Sequence, residues 1–261
     1  MCRILAYLGE PLPVEHLLFD TDNGLVRQSY SALMMNTFLN LAGFGMKAWD
    51  PTSLRPEDPF SYRATTLPSF DRNLRFIASK LAPTCLVAHV RGVTDSGDAI
   101  GHRYEPTSFP VHGQPRRPRA QRPPAEFARM RYSLVEHVRP ELAQCIEGTT
   151  DSEWIYALIL SQLDDPYGVP ETRELADATA NALRILRSVR AARGIDTSSP
   201  ANLCLSTGRA VVATRVSFDY GWYPLPEDLV IGLARKGGIA PRDQHAACEF
   251  LHFQPPYLAE G

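Results

Sequence analysis

The amino-acid sequence predicts an α+β fold, with antiparallel strands toward both ends of the chain and helices between them. Three observations predict it. Short apolar runs at residues 2–8 and 84–90 have strand length and composition. Residues 203–216 read as two strands around a Thr207-Gly208-Arg209 turn. Between these lie segments whose apolar residues recur at helical spacing.

The first strand, Cys2-Arg3-Ile4-Leu5-Ala6-Tyr7-Leu8, is stopped by Gly9-Glu10-Pro11. A helix is expected after Pro13 through Leu18, and residues 25–39 carry a mixed signal from Leu25, Tyr30, Leu33 and Met34. Leu74, Ile77 and Leu81 fall at i, i+3 and i+7, with Asp71 near the start and Pro83 beyond the end, which predicts a helix over 70–81. The run Thr84-Cys85-Leu86-Val87-Ala88-His89-Val90 is the second buried strand. Phe127, Met130, Leu134 and Val138 form a helical stripe that Pro140 cuts short. Thr150-Asp151-Ser152-Glu153 is a capping box that opens the next helix, and Trp154, Leu158, Ile159 and Leu163 supply its apolar face, with Tyr156 expected beside them in the core. Residues 171–193, rich in Ala, Leu and Arg, predict a long helix that stops at Gly194, with Arg184, Arg187, Arg190 and Arg193 on its solvated side. No internal repeat is visible.

One segment breaks the pattern. Residues 106–124 hold six prolines and four arginines in 19 residues, with only Phe109 and Val111 strongly apolar. Proline removes backbone donors and interrupts helices, so the segment reads as an irregular exposed loop.

The 261 residues can bury a sizeable core, and 44% hydrophobic against 21% charged residues is a globular composition. Lys plus Arg is 27 and Asp plus Glu is 29, a balance that argues against a nucleic-acid or membrane-surface partner. No run of about 18 apolar residues predicts a membrane span, and the N-terminus lacks the pattern of a signal peptide. The cysteines at 2, 85, 145, 204 and 248 are odd in number, scattered and without CxxC or metal-ligand spacing. A reduced, cytoplasmic protein with no metal and no cofactor is the expectation.

Cys2 carries the strongest chemical signal. Removal of Met1 would put a thiol and a free α-amine on one residue. An α-amine titrates near 7.7–8.0, so at neutral pH part of it is unprotonated and can take the thiol proton. One residue then serves as nucleophile and base.

Four segments occur in order: Met1-Cys2-Arg3-Ile4-Leu5-Ala6-Tyr7-Leu8-Gly9, Gly43-Phe44-Gly45, Ala88-His89-Val90-Arg91-Gly92-Val93-Thr94 and Thr149-Thr150-Asp151-Ser152-Glu153. Together they resemble the class II glutamine amidotransferases of the N-terminal-nucleophile hydrolase superfamily, most closely stand-alone bacterial members such as the amidohydrolases of ergothioneine biosynthesis. The resemblance spans roughly residues 1–225 apart from the proline- and arginine-rich segment. It implies a four-layer αββα sandwich in one domain, residues 1–261, with an atypical tail from about 231. It also implies hydrolysis of glutamine or a γ-glutamyl small molecule through a thioester on Cys2.

By the same resemblance Arg91 holds the substrate α-carboxylate, for which a planar guanidinium is suited. Thr94 lies near that carboxylate, and Asp151 receives the α-ammonium. An Asp in the first turn of a helix is also favoured by the helix dipole without any ligand. Gly43-Phe44-Gly45 lets backbone come close to substrate, although Ala42 stands where many members carry an acid. His89 is expected to be packed and hydrogen-bonded. An ammonia-accepting partner protein is a further implication of the family.

The family's oxyanion donors come from an Asn-Gly pair, and none exists between Arg91 and Asp151. The nearest match is His112-Gly113, which makes Gly113 the candidate donor. Residues 117–125 can be encoded so that reading one base later gives Ala-Leu-Ala-His-Asn-Gly-His-Leu, a strand-like stretch with the missing pair. The alternative reading of the chain is a catalytically silent binding protein on the same fold.

Overall fold

In the computed structural model of the protein, the described residues are 3–22, 24–31, 43–90, 125–146, 151–195, 203–215, 229–235 and 248–253. The chain divides into two compact units. The first is Met1–Ser108 with Gly208–Val211 and Arg235–Glu249; the second is Phe109–Thr207, Val212–Ala234 and Phe250–Gly261.

The first unit is built on a four-stranded sheet in the order β1-β4-β2-β3, from β1 (Arg3–Leu8), β2 (Phe44–Trp49), β3 (Phe60–Ala64) and β4 (Cys85–Val90). All three pairings are antiparallel. Leu86, Ala88 and Val90 of β4 lie opposite Ala48, Met46 and Phe44 of β2, and with Leu5 and Tyr7 of β1 they form one apolar face. Val14, Leu18, Leu25, Val26, Leu74 and Ala78 cover it, from a helical turn at His16–Asp20, α1 (Leu25–Gln28) and α2 (Arg72–Ala78).

The predicted strands at 2–8 and 84–90 are present as β1 and β4, and the helix predicted over 70–81 is the shorter α2. Its cap is Asp71, whose Oδ1 accepts from Leu74 N at 3.1 Å, while its Oδ2 accepts from the Tyr62 hydroxyl at 2.5 Å. That carboxylate fastens β3 to α2. Burial first, then the Asp71 bond and its charge, push the Tyr62 phenol up to about 12.

Strands β2 and β3 were not among the predicted elements. In β2 the alternation Phe44-Gly45-Met46-Lys47-Ala48-Trp49 is interrupted by no polar run, and glycine weakens strand propensity. Pairing with β4 on one side and β3 on the other supplies what local propensity does not. Asp50, just past β2, is buried and charged. It accepts from Thr52 N at 2.8 Å, Thr52 Oγ1 at 2.6 Å and Ala82 N at 3.1 Å. Burial alone would raise its pKa, but these bonds outweigh it and hold the carboxyl below the usual range. The Ala82 bond ties the end of β2 to the approach to β4.

The second unit has a helical core. The stripe Phe127, Met130, Leu134 of α3 (Ala125–Val135) packs with Val138, Leu142 of α4 (Pro140–Ala143), Trp154, Leu158 and Ile159 of α5 (Asp151–Leu160), and Leu175, Ala178 and Ala182 of α6 (Thr172–Ala192). Tyr156 packs half-buried against this cluster, and burial pushes its phenol up to about 12. The predicted stop of α6 is present: Gly194 has φ +60 and Ile195 N donates to Arg190 O at 3.2 Å, a Schellman-type ending. Arg184 and Arg193 are exposed, as expected of a solvated side, whereas Arg187 and Arg190 are half-buried, and Arg193 Nε also donates to Ser133 Oγ of α3 at 2.8 Å.

The predicted hairpin is β5 (Cys204–Ser206) and β6 (Ala210–Arg215), with Thr214 N donating to Leu203 O at 2.9 Å. These head a second sheet in the order β5-β6-β7-β8, completed by β7 (Leu229–Arg235) and β8 (Cys248–Phe253). β8 and most of β7 thus lie in the tail that the resemblance marks as atypical. Among the described residues no helix is long and apolar enough to cross a membrane.

Candidate active site

The register of the first sheet defines the candidate site. Arg3 of β1 lies opposite Val90 of β4, and Val90 lies opposite Phe44 of β2. The start of β1, the end of β4 and the start of β2 therefore share one end of the sheet. The sequence segments that the resemblance singled out come from positions about 40 residues apart, and only the antiparallel ladder gathers them.

Cys2 precedes Arg3 in the chain and Arg91 follows Val90. Both lie outside the described residues, as do Thr94, Gly113, the whole of 106–124 and the capping residue Thr150. Of the predicted site residues, Asp151 is described. It opens α5 in the second unit, is exposed, and its Oδ1 accepts from Ser152 N at 2.8 Å and Ser152 Oγ at 3.3 Å. This is the geometry of a carboxylate favoured by a helix N-terminus.

Gly43-Phe44-Gly45 divides into three roles. Gly43 has φ +119, and a Cβ there would sit 2.8 Å from the Ala64 carbonyl oxygen. A positive φ and this close approach to β3 require glycine. Phe44 is fully buried in the sheet's core and tilts against Tyr62 with ring centroids 6.4 Å apart. Gly45 lies on the opposite face, directly between His89 of β4 and Arg63 of β3. Sequence reasoning assigned this tripeptide to close backbone approach; at Gly43 the approach is to the protein's own strand.

His89 is half-buried in β4, on the face away from the apolar core, in line with Ile4 and Gly45. The same face carries Lys47, whose Nζ donates to Ser61 Oγ at 3.0 Å. Burial, and secondarily the Arg63 charge, hold the Lys47 ammonium below the usual lysine range. Lys47 and Arg63 escaped the reading of the sequence. Their period-two spacing from Gly45 and Ser61 was the available signal, but it has meaning only once β2 and β3 are paired. Among the described residues no three His, Cys, Asp or Glu side chains gather as metal ligands, and Cys85, Cys145 and Cys204 are not in disulfides.

No family model matches the chain. Among curated proteins it is similar to a probable glutamine amidotransferase, DUG3, of Saccharomyces cerevisiae. The two are 29% identical over 174 residues, 63% of this chain and 46% of the yeast protein. The match thus spans less than half of that relative's length. It is also similar to the gamma-glutamyl-hercynylcysteine sulfoxide hydrolase of Mycolicibacterium smegmatis, 24% identical over 231 residues, 87% of this chain and 93% of that protein. Among solved structures, a glutamine aminotransferase class-II domain protein from Silicibacter pomeroyi superposes with a TM-score of 0.58 at 19% identity, covering 98% of this chain and 100% of that one. The segments at the start of β1, at the end of β4 and around Phe44 are thus set beside two findings: the chain is similar in sequence to a probable glutamine amidotransferase and a γ-glutamyl hydrolase, and it shares the fold of a class-II domain protein.

Proposed function

We propose that the protein hydrolyses the side-chain amide of glutamine, or of a γ-glutamyl compound, through a thioester on Cys2. The observation that carries this reading is the rung Arg3–Val90–Phe44, which sets the chain neighbours of Cys2 and Arg91 at one end of the sheet. The names of the two curated relatives support the substrate class. The fold likeness supports the four-layer αββα sandwich as a single domain over residues 1–261.

With Met1 removed, the Cys2 α-amine takes the thiol proton and the sulfur attacks the amide carbon. The tetrahedral oxyanion collapses as the carbon–nitrogen bond breaks, and the α-ammonium returns its proton to the departing amine or ammonia. Water, deprotonated by the same α-amine, then attacks the thioester carbon. Glutamate leaves and the thiol is regenerated. Arg91 holds the α-carboxylate, Thr94 adds a hydroxyl beside it, and Asp151 receives the α-ammonium. Gly113 is the candidate oxyanion donor. The scheme needs no metal or cofactor, and water or a partner protein accepts what the thioester step releases. The setting is the cytoplasm, where thiols stay reduced.

One sequence observation favours a second reading, a silent binding protein: no Asn-Gly pair stands between Arg91 and Asp151. Loss of one oxyanion donor costs about 10²–10³ in kcat. Intact mass spectrometry after exposure to an electrophilic glutamine analogue separates the two. The hydrolase reading expects a chain lacking Met1 with one label on Cys2. A chain that keeps Met1 and takes no label establishes the silent one.

A further inference from the structure

Helix α2 is packed on one side and exposed on the other. Leu74 and Ala78 are fully buried in the core of the first unit, Ile77 packs beside them, and Asp71 caps the start. The outer side carries Phe76, 73% exposed, and the turn leading into the helix carries Phe70, 80% exposed. A phenylalanine ring has no polar atom to hydrate. Two rings left in water so close together in the chain mark a surface suited to an apolar contact.

Arg72 and Lys80 flank Phe76, four residues before and four after, a spacing that sets side chains on one side of a helix. Lys80 lies just past the last helical residue, but its N–H donates to Ile77 O at 2.9 Å, so the chain is still turning there. Both cations are exposed, and among the described residues neither takes part in an ion pair. Arg75, in contrast, is committed: its guanidinium lies 5.2 Å from the Phe19 ring centroid, and its Nε lies 3.9 Å from Glu15 Oε1. The neighbouring carboxylate of Asp71 is half-buried and accepts from Leu74 N and the Tyr62 hydroxyl. From 69 to 80 the exposed residues therefore include aromatic rings and cations but no acid.

That pattern of charge selects the occupant. A second copy of this chain, packed face to face, would set Arg72 and Lys80 against the same pair of cations, because a two-fold contact joins a surface to itself. An anionic membrane calls for a cluster of about four to eight Lys or Arg, and a nucleic acid for a basic stripe. Two cations on a chain of net charge −2 meet neither need. A segment whose acidic residues bracket an apolar one fits both features of the face. Its carboxylates pair with the guanidinium and the ammonium, and its apolar side chain covers the ring.

We propose that the outer side of α2 is a docking surface for an acidic segment of a partner protein, with Phe76 as the apolar anchor and Arg72 and Lys80 as the flanking charges. Phe70 adds apolar area ahead of the helix. The proposal stands apart from the hydrolase reading, since every residue in it lies on α2 or its adjoining turns.

The test uses the full chain and a fluorescein-labelled peptide, Glu-Asp-Leu-Phe-Asp-Glu, followed by fluorescence anisotropy. The expected result is saturable binding with Kd below about 1 mM, weakened by added salt. Phe76→Ser, and separately Arg72→Glu combined with Lys80→Glu, should each weaken it about tenfold or more. Their melting temperatures should stay close to that of the unsubstituted protein, because all three side chains are exposed. No saturation by about 1 mM peptide, or equal binding in the variants, overturns the proposal. Equal binding of Lys-Lys-Leu-Phe-Lys-Lys does so too, by showing an apolar contact without selection for charge. Flotation with phosphatidylserine vesicles that Phe76→Ser abolishes would assign the face to a membrane. Dimerisation in sedimentation that Phe76→Ser abolishes would assign it to a second copy, and either result overturns the proposal.

Discussion

The sheet of the first unit and the helical core of the second position their candidate residues by different physics. In the sheet, Arg3, Phe44 and Val90 meet through a ladder whose partners are tens of residues apart. A one-residue slip would turn every side chain to the other face, so burial of Phe44, Leu86 and Val90 fixes the register and with it the end of the sheet. In the helical core, Asp151 is placed by a local signal, the start of α5, and among the described residues its hydrogen bonds are to Ser152. The comparison teaches that the sheet can deliver a site assembled from distant chain segments, whereas the helix delivers one carboxylate at a predictable point.

The largest expected effect is at the start of β1. Cys2→Ser should abolish amide turnover, because a hydroxyl is a far weaker nucleophile at neutral pH, measured as glutamate release. Retained full activity would sever the sheet end from the chemistry. Next is the oxyanion gap. Replacing 117–125 by the alternative-frame residues should raise turnover by about 10² or more. Equal rates, with Met1 removed from both chains, would show that Gly113 or its neighbours already supply the donor. Arg91→Ala should lower kcat/KM by about 2–4 kcal/mol, roughly 30- to 1,000-fold, through loss of a charge-assisted pair. Asp151→Asn, in the helical unit, tests whether that carboxylate binds the α-ammonium. The expected result is weaker substrate binding with little change in melting temperature. A lower melting temperature with unchanged KM would reduce Asp151 to a helix-start residue.

Stability sharpens the same contrast. Asp50→Ala removes two hydrogen bonds within the turn after β2 and the one from Ala82 N that fastens β2 to the approach to β4, and should cost about 2–3 kcal/mol by denaturant titration at neutral pH. Because the folded carboxyl titrates below its unfolded value, its stabilisation is present above the ordinary carboxylate range and disappears as pH falls through the folded value. The smallest effect is at alkaline pH. Tyr62 and Tyr156 are each pushed up to about 12 from 10.0. Below pH 10 both phenols are protonated folded or unfolded. Between 10 and 12 only the unfolded chain loses the protons, so stability should fall across that window. Tyr156→Phe should flatten the fall, monitored by melting temperature against pH.

Local patterns account for much of what could be read in the chain. Leu74 and Ile77 with Asp71 gave α2, the stripe from Phe127 gave α3, Gly194 ended α6, and the Thr207-Gly208-Arg209 turn gave the β5–β6 hairpin. Each rests on contacts within a few residues, which spacing alone encodes. The segments carrying Cys2 and Arg91 were legible as motifs for the same reason. Tertiary structure alone decided that β2 and β3 are strands, that Gly43 answers to the Ala64 carbonyl, and that Lys47, Arg63 and His89 surround Gly45. Those facts depend on which strand pairs with which and in what register, and pairing is settled by burying one face of the whole sheet at once.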